Sequence, residues 1–127
     1  MKALITTGSR HGLTISSDEY NKLLSPYLVG ISLLIHGDAP GVDTIFKELA
    51  SVLCVPLLTM AAQWDQHGPI AGPLRNEHMV KVGVSLRACG WDVSACAFPG
   101  PTSRGTKGCI KLLKEADISV IVTKIGR

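Results

Sequence analysis

Four glycine-containing stretches hold most of the residues in this chain that could recognise an anion or a sugar. The first, Thr7-Gly8-Ser9-Arg10-His11-Gly12, combines glycines that let backbone approach a phosphate with the Ser9 hydroxyl and the forked Arg10 guanidinium. The second, His36-Gly37-Asp38-Ala39-Pro40-Gly41-Val42-Asp43, is a tight turn of small residues with two carboxylates suited to ribose hydroxyls. Asp43 alone reads more simply as a complement to the dipole of the following helix, and Asp38 as a ligand-binding or loop-organising group. The third, Gln63 to Asn76, reads as a long polar loop, and loops of that length in small domains usually have a function. Within it Trp64 can stack on a base, Arg75 can clamp a phosphate and Asn76 can read an amide or hydroxyl. Taken singly, Trp64 also suits a core cap and Asn76 a helix cap. The fourth, Phe98-Pro99-Gly100-Pro101-Thr102-Ser103-Arg104-Gly105-Thr106, is a glycine-rich turn entering a helix, with hydroxyls and an Arg at the positive dipole end. It is the most specific of the four, yet it is not a P-loop, because no Gly-Lys-Ser/Thr follows at the required spacing.

These stretches are useful only if the fold brings them together, and the intervening pattern says how. Short runs occur at residues 3–7, 33–35, 55–58, 93–98 and 118–122, mainly β-branched or apolar as in strands covered on both faces. Between them lie helical spacings. One runs from a Ser16 or Ser17 cap through Tyr20, Leu23 and Leu24 toward Leu28. A second starts near Gly41 and places Val42, Ile45, Phe46, Leu49 and Leu53 on one stripe. A third begins around Leu74 and carries Met79, Val80, Val82 and Leu86, and a fourth opens near Gly105 and reaches Ala116. Strand–helix alternation requires right-handed crossovers, and so a mainly parallel five-stranded sheet. The expected fold is a single three-layer, Rossmann-like α/β domain over residues 1–127. In such a sheet the loops after the strands share one edge, which is where ligands bind.

Bulk properties agree with this. The chain has 127 residues, 46% hydrophobic and 18% charged, with few aromatics and many glycines, which excludes a disordered tail or a coiled coil. Its net charge of +3 suits an anionic small ligand and is too weak to argue for nucleic acid, so no nucleic-acid partner is expected. No apolar stretch approaches the roughly 20 residues needed to span a bilayer. No secretory pattern precedes the first strand, so a cytoplasmic protein is expected. Cys54, Cys89, Cys96 and Cys109 make no C-x-x-C pair and read as reduced thiols. His36, Asp38 and His67 are metal-ligand types, but their spacing matches no known site, and neither metal nor cofactor is expected. Several apolar helix faces in so small a domain point to a homodimer or higher homo-oligomer.

The motifs, in this order, resemble those of the SLOG superfamily, in its YspA/cpYpsA-related branch. The matching stretches are Thr7-Gly8-Ser9-Arg10, His36 to Asp43, Trp64-Asp65 with His67-Gly68, Ala71-Gly72-Pro73 with Arg75-Asn76 and Met79, and Phe98-Pro99-Gly100 with Gly105-Thr106. The resemblance spans nearly the whole chain and implies a Rossmann-like fold that binds a nucleotide or nucleotide-derived ligand, for sensing or sequestration. Loop chemistry and resemblance together place the expected ligand contacts at Gly8, Ser9, Arg10, His36, Gly37, Asp38, Gly41, Asp43, Trp64, Arg75, Asn76, Pro99, Gly100, Ser103, Arg104, Gly105 and Thr106. Related LOG-type phosphoribohydrolases carry Pro-Gly-Gly-x-Gly-Thr-x-x-Glu. Here the loop is longer, Pro101 replaces a glycine, and the Glu position falls on Cys109. Binding is therefore the expectation, with hydrolysis of a nucleotide's N-glycosidic bond as the alternative.

Overall fold

A computed structural model of the chain describes residues 1–9, 17–100 and 103–124. Arg10, the Ser16 cap, Pro101 and Thr102 lie outside the described residues. The elements in chain order are β1 (Lys2–Gly8), α1 (Ser17–Leu24), β2 (Leu33–His36), α2 (Val42–Val52), β3 (Leu57–Thr59), α3 (Trp64–His67), α4 (Ala71–Ala88), β4 (Asp92–Phe98), α5 (Arg104–Glu115) and β5 (Ser119–Val122). The five strands form one sheet in the order β3-β2-β1-β4-β5, and every pairing is parallel. The fold is α/β and Rossmann-like, with helices on both faces.

The alternation of apolar side chains along the strands explains the three layers. Leu4, Leu34, Cys96 and Phe98 face α1 and α2, where they pack with Leu24, Val42, Phe46 and Ala50. Ala3, Ile5, Ile35, Val93 and Ala95 face α4 and α5, against Met79, Val80, Cys109 and Leu113. Because β1 leads outward to β2 and β3, and the chain then returns to place β4 on β1's other side, the strand order reverses between β1 and β4. The loops leaving those two strands diverge to opposite faces there, which opens a crevice. No helix among the described residues is long and apolar enough to cross a membrane.

Three expectations need correction. The first helix stops at Leu24, and Ser25–Leu28 continues as a tight 3₁₀ turn, because Pro26 cannot donate to a continuing helix. The third strand begins at Leu57, not Val55: Pro56 has no N–H for the ladder, although its carbonyl accepts from the Leu34 N–H at 2.9 Å. Residues 63–76 are not a long loop. They form α3, a 3₁₀ turn over Gly68–Ile70 and the start of α4 at Ala71, three residues before the expected Leu74. Pro73 misled the reading, since proline breaks a helix interior but is tolerated in a first turn.

The crevice is held by close backbone packing. The Ser9 N–H donates to the Phe98 carbonyl at 3.0 Å, and the Val42 N–H donates to the Ser9 carbonyl at 3.2 Å. This draws the end of β1 against both β4 and the start of α2. A Cβ on Gly8 would stand 2.5 Å from the Val42 Cβ. Gly8→Ala is expected to lower unfolding free energy by about 1–3 kcal/mol, read in urea titrations. Val42→Ala added to that variant should recover little of the loss, because alanine keeps the Cβ that makes the closest contact.

Candidate functional site

A cavity of about 300 Å³ opens at the crevice. Thr7, Gly8 and Ser9 from the end of β1 line it, together with Ala39 and Asp43 before and within α2. Trp64 of α3 and Gly72, Pro73, Arg75, Asn76 and Met79 of α4 form a second wall. Ser103, Arg104, Gly105 and Thr106 at the start of α5 form a third. All four sequence stretches thus reach one space: Gly8 and Ser9 from the first, Ala39 and Asp43 from the second, Trp64, Arg75 and Asn76 from the third, and Ser103 to Thr106 from the fourth.

Asp43 is the acidic residue of the lining. It sits in the first turn of α2 and is only 4% exposed. Its Oδ2 accepts from the Ala39 N–H at 3.2 Å, and its Oδ1 is buried with no hydrogen-bond partner. Burial pushes the carboxyl up to about 6, against the opposing pull of the Ala39 N–H, the Arg75 guanidinium and the Gly37 N–H. A buried acceptor left unmade is expensive, so this oxygen is poised for a donor that enters the cavity.

The start of α5 offers the opposite polarity. Ser103 is its N-cap residue but makes no side-chain cap. Its Oγ instead accepts from the Gly100 N–H at 2.7 Å, which fastens the Pro99–Gly100 turn to the helix start. The first turn holds no acidic residue, and its N–H groups have no partner within the helix. Arg104 adds a full positive charge at that end.

Arg75 and Asn76 tie the walls together. The Arg75 Nη1–H donates to the Gly37 carbonyl, and Nε–H donates to the Asn76 Oδ1 at 2.8 Å. The Asn76 amide then donates to the Gly105 carbonyl at 3.3 Å. One hydrogen-bonded chain therefore runs from the loop after β2, across α4, to the start of α5. Arg75 was expected as a phosphate clamp; part of its guanidinium holds the site's framework together.

Other expected site residues lie beside the cavity and do not line it. His36 is fully buried; its Nδ1 accepts from the Asp38 N–H at 3.1 Å and its Nε2 meets the Thr59 Oγ1 at 2.8 Å. Burial lowers its pKa, and with both ring nitrogens committed it props the turn. Asp38 is exposed, takes a left-handed φ of 54° that aspartate tolerates, and pairs with Lys47 at 3.5 Å. Gly41, with φ 85°, is the N-cap of α2 and needs glycine's freedom. Gly37, Pro99 and Gly100 shape the turns, and Arg10 lies outside the described residues.

Sequence reasoning did not single out Thr7, Ala39, Gly72, Pro73 or Met79 as site residues, yet all five line the cavity. A signal existed for α4: Gly72, Arg75, Asn76 and Met79 recur at helical spacing, one face of one helix. Reading that segment as a loop hid the periodicity. Cys109, which the resemblance sets at the place of the LOG-type glutamate, is fully buried outside the lining. Burial pushes its thiol up to about 11, so it stays neutral and can stabilise no positive charge.

No known family model matches the chain, and no solved structure does. The chain is 33% identical to the Gene 61 protein of Mycobacterium phage D29 over an alignment of 133 residues that covers 95% of each.

Proposed function

The chain belongs to the family of the Gene 61 protein of Mycobacterium phage D29, and we propose that it binds a nucleotide-type sugar phosphate at the carboxyl edge of its sheet. The observation that carries this reading is the unpaired Asp43 Oδ1 in the same cavity as the uncapped start of α5 and Arg104. A bare anion would be repelled by the carboxylate, and a neutral ligand would leave the helix end and Arg104 unused. A sugar phosphate answers both, with hydroxyls donating to Asp43 and the phosphate at α5. Trp64, about half exposed at the rim over Gly72, suits stacking on the base. A volume of about 300 Å³ is at the small end for ligand sites and suits one nucleotide better than a dinucleotide. The SLOG resemblance supports the same reading, as does the switch-point position. Such a protein senses or sequesters its ligand. Exposed Ile121 and Val122 on the edge strand β5 support self-association as well.

Hydrolysis is the second reading, and Asp43 favours it too. Among the acids near the four loops, it alone lines the cavity, where a carboxylate beside the sugar would stabilise an oxocarbenium-like transition state. One experiment separates the two. Protein incubated with a panel of nucleoside monophosphates is denatured and the bound material is weighed by mass spectrometry. Intact retained nucleotide is expected; free base with ribose phosphate, retained or in the supernatant, would give the enzyme reading, and neither retained nucleotide nor products would remove both. In calorimetry with AMP, Arg104→Ala should weaken binding about 5- to 10-fold, the loss of one partly exposed charge-assisted contact. Unchanged affinity would remove the phosphate from α5.

A further inference from the structure

The net charge of +3 is spread unevenly. On α5, Arg104, Lys107, Lys111 and Lys114 follow one another at spacings of three, four and three residues, all exposed. At the helical pitch these positions fall within an arc of about 80° and extend about 15 Å along the axis. The opposite side of the helix carries buried Thr106, Cys109 and Leu113. Glu115 and Asp117 lie past the end of the stripe, and Glu77 borders the neighbouring groove between α4 and α5. Among the described residues none of these lysines is held in an ion pair; the pair found, Lys47 with Asp38, is elsewhere.

Exposed lysines usually serve only to solvate a helix. Two features set this row apart: it has one sign over three turns, and it begins at Arg104, which lines the cavity. The anion-binding end of the cavity thus continues onto the surface as a row of unpaired cations. A mononucleotide leaves that row unused, since its single phosphate is already met at the helix start. The row's length of about 15 Å is enough to run past the cavity-bound phosphate to the next two of a single strand. A duplex cannot place a terminal base in the cavity without unpairing; a single strand has its bases free.

We propose that α5 binds the phosphates that follow the cavity-bound nucleotide in a short single-stranded oligonucleotide. This rests on the nucleotide reading of the cavity and extends it outward over Lys107, Lys111 and Lys114.

The test compares AMP with 5′-phosphorylated triadenylate by calorimetry across a salt series. Triadenylate is expected to bind at least about 10-fold more tightly, with a salt slope steeper by about 1.4, as for its two further single-strand phosphates neutralised. The triple variant Lys107→Glu, Lys111→Glu, Lys114→Glu should erase that gain and leave AMP affinity unchanged. Lys111→Gln alone, a minimal change at an exposed site, should lower the gain about two- to threefold. Triadenylate binding no tighter than AMP overturns the proposal, as does a gain that survives the triple variant. Equal competition by hexaglutamate also overturns it, by making the row a general polyanion surface. AMP that binds with no triadenylate gain removes the stripe alone; AMP that fails to bind removes the cavity reading and this proposal with it.

Discussion

Replacing Asp43 with asparagine is expected to weaken AMP binding about 10- to 100-fold, the value of a hydrogen bond to a buried charged acceptor, while leaving the free protein no less stable at pH 7. The second half of that expectation follows from the carboxyl's position. Burial raises its pKa from 3.8 to about 6, so between those values the folded state holds a proton that the unfolded chain has released. Stability therefore falls as pH rises through this window and stays lower above it, by about 2–3 kcal/mol. A favourable interaction with the α2 dipole recovers only about 0.3–1 kcal/mol, and asparagine could accept from the Ala39 N–H equally well. These partners recover less than burial costs, and under the proposed function a ligand hydroxyl supplies the rest. Urea titrations at pH 4.5 and pH 7 should show the wild type losing stability across the window and Asp43→Asn losing less.

Binding should follow the opposite course. Ionised Asp43 is the better acceptor, so affinity for AMP should rise from pH 5 to pH 7. The nucleotide phosphate ionises near pH 6 as well; the contribution of Asp43 is therefore the difference between the wild-type and Asp43→Asn profiles. Coincident profiles, or equal affinities at pH 7, would take Asp43 out of the site.

The largest stability effect is expected from Phe98→Ala, a loss of about 3–5 kcal/mol and a fall in melting temperature of more than about 10 °C. Phe98 ends β4 and is fully buried. Its ring meets Tyr27 edge-on, with centroids 5.5 Å apart, and lies tilted against Phe46 at 5.8 Å. In a chain with so few aromatics, these three rings fill the space between β4 and the α1–α2 layer. Truncating the central one leaves a void that the sheet cannot close, because β4 is clamped between β1 and β5. Phe98→Leu should cost under about 2 kcal/mol by keeping most of the volume. The Phe98 carbonyl also receives the Ser9 N–H, so the alanine variant should lose AMP affinity at temperatures where it remains folded. A Phe98→Ala protein as stable as wild type in thermal and urea unfolding would contradict the packing described.

Much of the fold was legible along the chain because its local signals agree. Runs such as Ala3 to Thr7 and Val93 to Phe98 are apolar on both strand faces, which happens in proteins almost only where helices cover both sides of a parallel sheet. Glycine turns after those runs fall on one edge by topology alone. For that reason Gly8, Ser9, Trp64, Arg75, Asn76 and Ser103 to Thr106 could be gathered into one site before any coordinates were known, and all of them line the cavity. The segment from Gln63 to Asn76 was misread because Gly68, Pro69, Gly72 and Pro73 signal a loop locally, whereas packing of Ala71, Gly72 and Met79 against the domain pays for a helix.

The amino-acid order by itself determined the α/β architecture, the shared edge and the kinds of groups assembled there, since periodicity and turn chemistry are local properties. Only the tertiary structure decided which of two similar aspartates lines the cavity. Asp38 and Asp43 are equivalent as residues, but backbone packing leaves one in solvent beside Lys47 and buries the other with an unmet oxygen. It also decided that Arg75 serves as a brace. Desolvation and pairing depend on distances between residues far apart in the chain, and those distances exist only once the sheet has closed its crevice.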